Sequence, residues 1–228
     1  MSRKSLGILS LAMVVAMLAI ALAVGRTLPA DLRLPTHWGI SGQPDRFSGK
    51  WPALFSPAAM TALVSLFFWF LPVIEPRTKN LSRSTGLYLW TWAALLVLSA
   101  AIQLTILSVA LHWNLRVEHI MSGAMGVVFV LIGNQLGKSR SMFMVGFRTP
   151  WTLSSEEVWI GTNRLGGKLM VLGGLVVFVC SFLPLPSGLL AGLFGGVLAV
   201  MVGVPAVYSY LLWRRERRQP SEYRSTTE

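Results

Sequence analysis

Long apolar runs alternate along this chain with short polar connectors. Six runs stand out, at 6–25, 53–74, 87–111, 120–136, 169–185 and 188–213. Each is close to the length that carries a helix across about 30 Å of hydrocarbon. Lipid offers the backbone no hydrogen-bond partner, so segments of this kind close their own bonds as helices. The pattern predicts an all-α polytopic membrane protein with about six transmembrane helices. It divides into an N-terminal half, 1–112, with three spans and a connector at 26–52. The second half, 113–228, also has three spans and an amphipathic segment at 137–168.

Composition agrees. The 228 residues are 54% hydrophobic and 13% charged, against about 25% charged in a soluble domain. Fifteen of the 20 Lys and Arg fall in 1–5, 75–86, 137–168 and 214–228, and five in 26–52 and 112–119. The positive-inside rule then places both termini in the cytoplasm and 26–52 outside. The net charge of +11 is met by anionic lipid, which attracts juxtamembrane runs such as "RRERR" at 214–218. It calls for no direct nucleic acid. The first run is long enough to stay as a signal anchor. Cys180 is read as a small packing residue.

The connectors and the few polar span residues refine this picture. Pro29, Pro35 and Pro44, with Gly39, Gly42 and Gly49, argue against a helix or central strand in 26–51. "QPDR" at 43–46 reads as a type I turn. The spans have no charged residue in their interiors, which disfavours an ion-coupled transporter. Gln103 is expected to hydrogen-bond between helices. Gly188, Gly192 and Gly196 form a row suited to close helix contact, with Gly173 and Gly174 as the expected facing surface. His112, Glu118 and His119, and His37 with Asp45, lack the spacing that sets two metal ligands on one helix face. No metal, cofactor or catalytic group is assigned.

"GFRTPWTLSSEEVW" at 146–159 is the least membrane-like stretch. Ser154 and Glu157 read as a capping box, and Leu153 and Val158 as its hydrophobic staple. The spacing predicts a short surface helix stopped by Gly166-Gly167. Arg148 is expected to pin the preceding turn with its planar fork, on carbonyls near Gly133 and Asn134 or on Glu157.

"GN-x-LGK" at 133–138, "GFRTPWTL" at 146–153, Trp159 and "T-x-R-x-GG" ending at Gly167 together resemble the SdpI family. The stretch "LP…LPTHWGISGQPDRFSGK" at 28–50 is similar to the DUF1648 segment that commonly precedes it. The resemblance implies a non-catalytic protein of the bacterial inner membrane that gives immunity to a secreted toxin peptide. It also implies sensing, by recruitment of a small helix-turn-helix repressor inside. The inner motif comprises Gly133, Asn134, Gly146, Arg148 and Thr149, continuing through Pro150, Trp151, Thr152, Trp159 and Arg164. Outer ligand candidates are Pro35, His37, Gly42, Asp45 and Lys50. Met142 and Asn163 depart from the usual Asn and His, and are read as marking a different ligand or partner. The alternative reading is a small permease or an integral membrane enzyme.

Overall fold

A computed structural model describes residues 1–39, 43–76, 78–113, 115–141 and 145–218. In chain order the elements are α1 (Arg3–Thr27), β1 (Arg33–Trp38), β2 (Pro44–Gly49) and α2 (Lys50–Ile74). There follow α3 (Thr78–Arg83), α4 (Thr85–Ala110), α5 (Val117–Leu136), α6 (Pro150–Ser154), α7 (Glu156–Cys180) and α8 (Ser187–Arg218). The six long helices α1, α2, α4, α5, α7 and α8 are each long and apolar enough to cross a membrane. The chain is thus an all-α multi-pass membrane protein. One end carries the β1–β2 hairpin, and the other carries the start of α1 and the end of α8.

α4 is the most enclosed helix and packs against α1, α2 and α5. Its Tyr88 and Trp92 stack with Phe68 of α2. Pro72 lacks an N–H, so the carbonyl four residues before it, that of Phe68, has no partner within α2. The Tyr88 hydroxyl donates to that carbonyl at 2.8 Å. Ser56 does the same for the carbonyl that Pro57 leaves free, donating to Ala53 O at 3.0 Å. Tyr88→Phe should therefore lower stability in detergent by about 1–3 kcal/mol, the cost of an unmet buried acceptor. Tyr210→Phe, on exposed α8, should leave the melting midpoint unchanged.

α5 and α7 approach backbone to backbone. A Cβ at Gly126 would lie 2.7 Å from Gly174 O, and one at Gly174 would lie 2.7 Å from Gly126 O. One turn pair further on, a Cβ at Gly133 would sit 2.8 Å from Gly167 O, and one at Gly167 only 2.6 Å from Gly133 O. The two reciprocal pairs repeat every seven residues on both helices. Small residues are what permit such contact where lipid removes the hydrophobic drive.

These pairs correct two sequence expectations. Gly166-Gly167 does not end a surface helix, because α7 runs without a break from Glu156 to Cys180. Their missing side chains admit Phe147 and α5 rather than stopping the helix. Nor do the α8 glycines pack on Gly173 and Gly174. Gly174 is taken by α5, while Gly173 faces Val197 and Met201. A Cβ at Gly188, Gly192, Gly195, Gly196 or Gly203 would meet nothing within 4 Å. A small-residue row shows that a helix can be approached, not which neighbour arrives.

Three further expectations shift. The 26–52 connector contains a two-stranded antiparallel hairpin, in which Trp38 pairs with Pro44 and Leu34 with Ser48. Both strands are edges, where Pro35 and Pro44 do no harm to a ladder. Pro44, Asp45 and Arg46 are therefore strand residues, not a type I turn. Ser155, rather than Ser154, caps α7 by accepting from Val158 N at 3.3 Å. Gln103 is 4% exposed, and neither of its amide atoms has a partner among the described residues. It does not join helices as expected.

Candidate functional site

The motif at the terminal end is built around Gly146. Its φ of 124° lies in the region that side chains avoid. A Cβ there would also fall 2.6 Å from the Trp159 ring. The next residue, Phe147, donates its N–H to Asn163 Oδ1 at 2.8 Å. Asn163 Nδ2 donates in turn to Trp159 O at 3.0 Å, and Trp159 Nε1 lies 3.3 Å from both Ser139 O and Ser139 Oγ. Trp159 and Asn163 are wholly buried. The Phe147 ring lies against Gly166. One loop is thus fastened to α7 through paired donors and acceptors, as buried polar groups require.

The turn that follows is a five-residue helix. Thr149 caps α6 and Thr152 returns the bond, Pro150 standing at its first turn. Thr152, fully buried, also donates to Phe147 O at 2.9 Å. α6 then holds the end of α8. Trp151 packs edge-on against Tyr210 and beside Trp213. Thr149 Oγ1 bonds Ser209 Oγ at 3.2 Å, and Ser155 Oγ bonds Glu216 at 2.9 Å.

Of the inner motif residues, Gly146, Thr149, Pro150, Trp151, Thr152 and Trp159 come together here. Gly133 is buried on Gly167 and belongs to the α5–α7 contact. Asn134, Arg148 and Arg164 are exposed. Met142 lies outside the described residues. Asn163, read from the sequence only as a departure, is the central acceptor of the cluster. Its four-residue step from Trp159, on the buried face of α7, is the signal that could have found it.

The hairpin end holds a cavity of about 620 Å³ between β1, α4, α5 and α8. Its walls are mostly apolar, with Ile102, Met121, Met125, Leu190 and Phe194 contributing. Across its mouth Glu118 accepts from Ser187 at 2.9 Å and from Arg116 at 3.1 Å, joining α5 to α8. Thr105 stands in the α4 wall, 1% exposed, and its hydroxyl has no partner among the described residues.

Of the outer candidates, His37 lines this cavity and pairs with Asp45 at 2.6 Å across the hairpin. Pro35 is buried in β1. Lys50 is 8% exposed and donates to Leu28 O at 2.6 Å, tying the end of α1 to the start of α2. Gly42 lies outside the described residues. His119 Nδ1 bonds Ser181 O at 2.7 Å, apart from the Glu118 contacts.

Residues 138–209 match the SdpI/YfhL protein family, and residues 12–62 match a domain of unknown function, DUF1648. The order is the one read from the motifs. The hairpin falls within the DUF1648 segment, and the Gly146 cluster within the SdpI/YfhL segment. Gly133 and Asn134 lie just before the latter. The chain is also 26% identical over 170 residues to Immunity protein SdpI of Bacillus subtilis (strain 168), covering 73% of this chain and 82% of that protein. No solved structure matches it.

Proposed function

We propose that this chain is a non-catalytic immunity protein that shields its membrane from a secreted, membrane-active peptide. The similarity to Immunity protein SdpI over 73% of the chain carries the reading. The bias of basic residues supports an orientation with the hairpin and cavity outside and both termini in the cytoplasm.

Sensing is the finer part of the proposal. α8 spans the molecule, lining the cavity through Leu190 and Phe194 and gripping α6 through Ser209, Tyr210 and Glu216. A ligand that binds better when α8 is displaced shifts α6 with it, since only differential affinity moves such an equilibrium. The exposed residues beside α6, Arg148 and Glu157 among them, are then the surface where a small helix-turn-helix repressor docks.

Arg148→Lys tests this part. Lysine keeps the charge but cannot offer the two parallel donors of a guanidinium. The variant should reach the membrane at normal abundance and lose most repressor recruitment, read as repressor co-purified with the membrane fraction after peptide challenge. Arg83→Lys, at the exposed end of α3, should behave as the parent. Full recruitment by Arg148→Lys would remove the docking surface from this place.

A further inference from the structure

The motifs "GN-x-LGK" at 133–138 and "T-x-R-x-GG" at 162–167 are brought together by the α5–α7 seam. Their glycines make the contact. Gly133 meets Gly167, and Gly137 lies beside Arg164, whose Cα would be 3.2 Å from a Cβ at Gly137. One flank of the seam is closed by Ile132, Leu136 and Met170, which join the core. Asn134, Arg164 and Lys168 fall on the opposite flank by helical spacing, and all three are exposed. They stand within about 5 Å, along the helix axes, of the level at which Gly133 meets Gly167. Deeper on the same flank, Val130 lies against Gly174, and Leu175 is 47% exposed. A cationic head and an apolar groove thus follow one another down one side of the seam.

The chain itself supplies no counter-charge to this head. Neither Arg164 nor Lys168 makes an ion pair among the described residues. Glu156 faces Arg140 at 3.8 Å, Glu216 accepts from Ser155, and Glu75 is buried. Glu157 shares the face of α7, but it is about 10 Å from Arg164 and about 16 Å from Lys168 along the helix. Lys168 immediately precedes the apolar run, where a cation is costly without a counter-charge. Side chains lean toward the N-terminal end of their helix, so the Lys168 stem rises toward Arg164.

We propose that this groove holds an anionic glycerophospholipid of the bilayer. Its phosphate sits on Arg164 and Lys168, with the Asn134 amide donating beside them, and one acyl chain lies along Val130 and Leu175. The occupant must be anionic at the level of Lys168 and apolar one turn deeper, as a basic pocket between spans requires of a lipid. A soluble acidic peptide meets only the first condition. A choline or ethanolamine headgroup would return a cation to the two already present, so a net negative headgroup is selected. The site stands apart from the immunity reading, and it gives the two motifs a common use.

Bimane attached in the groove tests this, through Leu175→Cys in a Cys180→Ser background, with the full chain in nanodiscs. The probes are phosphatidylglycerol and phosphatidylcholine, each carrying a nitroxide on an acyl chain to quench bimane on contact. Quenching should favour phosphatidylglycerol by at least about fivefold at equal mole fraction, the contribution of one basic residue near a membrane surface. Arg164→Gln with Lys168→Gln keeps the stem beside Gly137, and should bring the preference to about one without lowering the melting midpoint. Arg214→Gln with Arg215→Gln removes the same charge from the exposed end of α8 and should leave the preference intact.

Equal loss in the two double variants would overturn the site in favour of diffuse surface charge. Relief of quenching by millimolar glycerol phosphate would overturn the lipid as occupant and make the ligand a soluble phosphate. Mass spectrometry of the unsubstituted chain, released from micelles holding both lipids, gives a reading that needs no variant to fold. One phosphatidylglycerol retained in preference to phosphatidylcholine is expected, and equal retention of the two would overturn the proposal.

Discussion

Gly167→Leu is expected to abolish the folded protein, while Gly192→Leu is expected to leave it intact. The two glycines look alike in the sequence, each in an apolar run with small residues nearby. Their surroundings differ. A Cβ at Gly167 would lie 2.6 Å from Gly133 O in α5 and 3.2 Å from Gly137 N at its C-cap, both backbone atoms that cannot rotate away. A leucine there must push α5 and α7 apart along their whole seam. Overpacking by a few methylenes costs about 1–3 kcal/mol in a core that can adjust, and this seam can adjust only by losing the Gly126–Gly174 contact as well. The expected result is aggregation or loss of the monodisperse peak in detergent, and Gly167→Ala should already melt well below the parent. Gly192→Leu adds a side chain where nothing lies within 4 Å. Equal melting of the two leucine variants would show that the α5–α7 seam is not what holds the bundle.

The second large effect is expected at Asn163. Asn163→Leu removes the acceptor of Phe147 N and the donor to Trp159 O together. Phe147 N then has no replacement partner in the buried cluster, and an unmet backbone donor costs about 1–3 kcal/mol. The loop 145–149 should detach from α7 and take with it the capping box of α6. Rapid amide exchange at Phe147 and Thr152, with the span helices still protected, is the expected signature. Asn163→His should behave differently. An imidazole can accept from Phe147 N with one nitrogen and donate with the other, so it can preserve the cluster. If histidine and leucine at 163 give the same exchange, the cluster does not depend on this paired bond.

How the sequence and the structure diverge follows from the range of the interactions involved. Six spans were legible because the need to bury backbone polarity in lipid acts within each segment. The hairpin was not, because strand pairing in 33–49 depends on two short edges meeting, and prolines there look like breakers. The motif at 146–159 was visible as an anomaly, and its Thr149–Thr152 capping box hidden by a neighbouring serine pair. The paired bonds by which Asn163 and Trp159 hold the turn from within α7 were not anticipated beside the role expected of Arg148. The cavity was invisible in the sequence, since Thr105 and Phe194 come to line one space only once α4, α5 and α8 are assembled.

Protection is the most direct test of the proposed function. The chain should be expressed in a Bacillus subtilis strain lacking its own Immunity protein SdpI. Survival is then measured against a panel of secreted membrane-active peptides, normalised to membrane abundance. A rise of at least about tenfold in the inhibitory concentration of one such peptide is expected, equivalent to about 1.4 kcal/mol, and its loss in Asn163→Leu. Parent-level killing by every peptide, with the protein abundant and folded in the membrane, would contradict it.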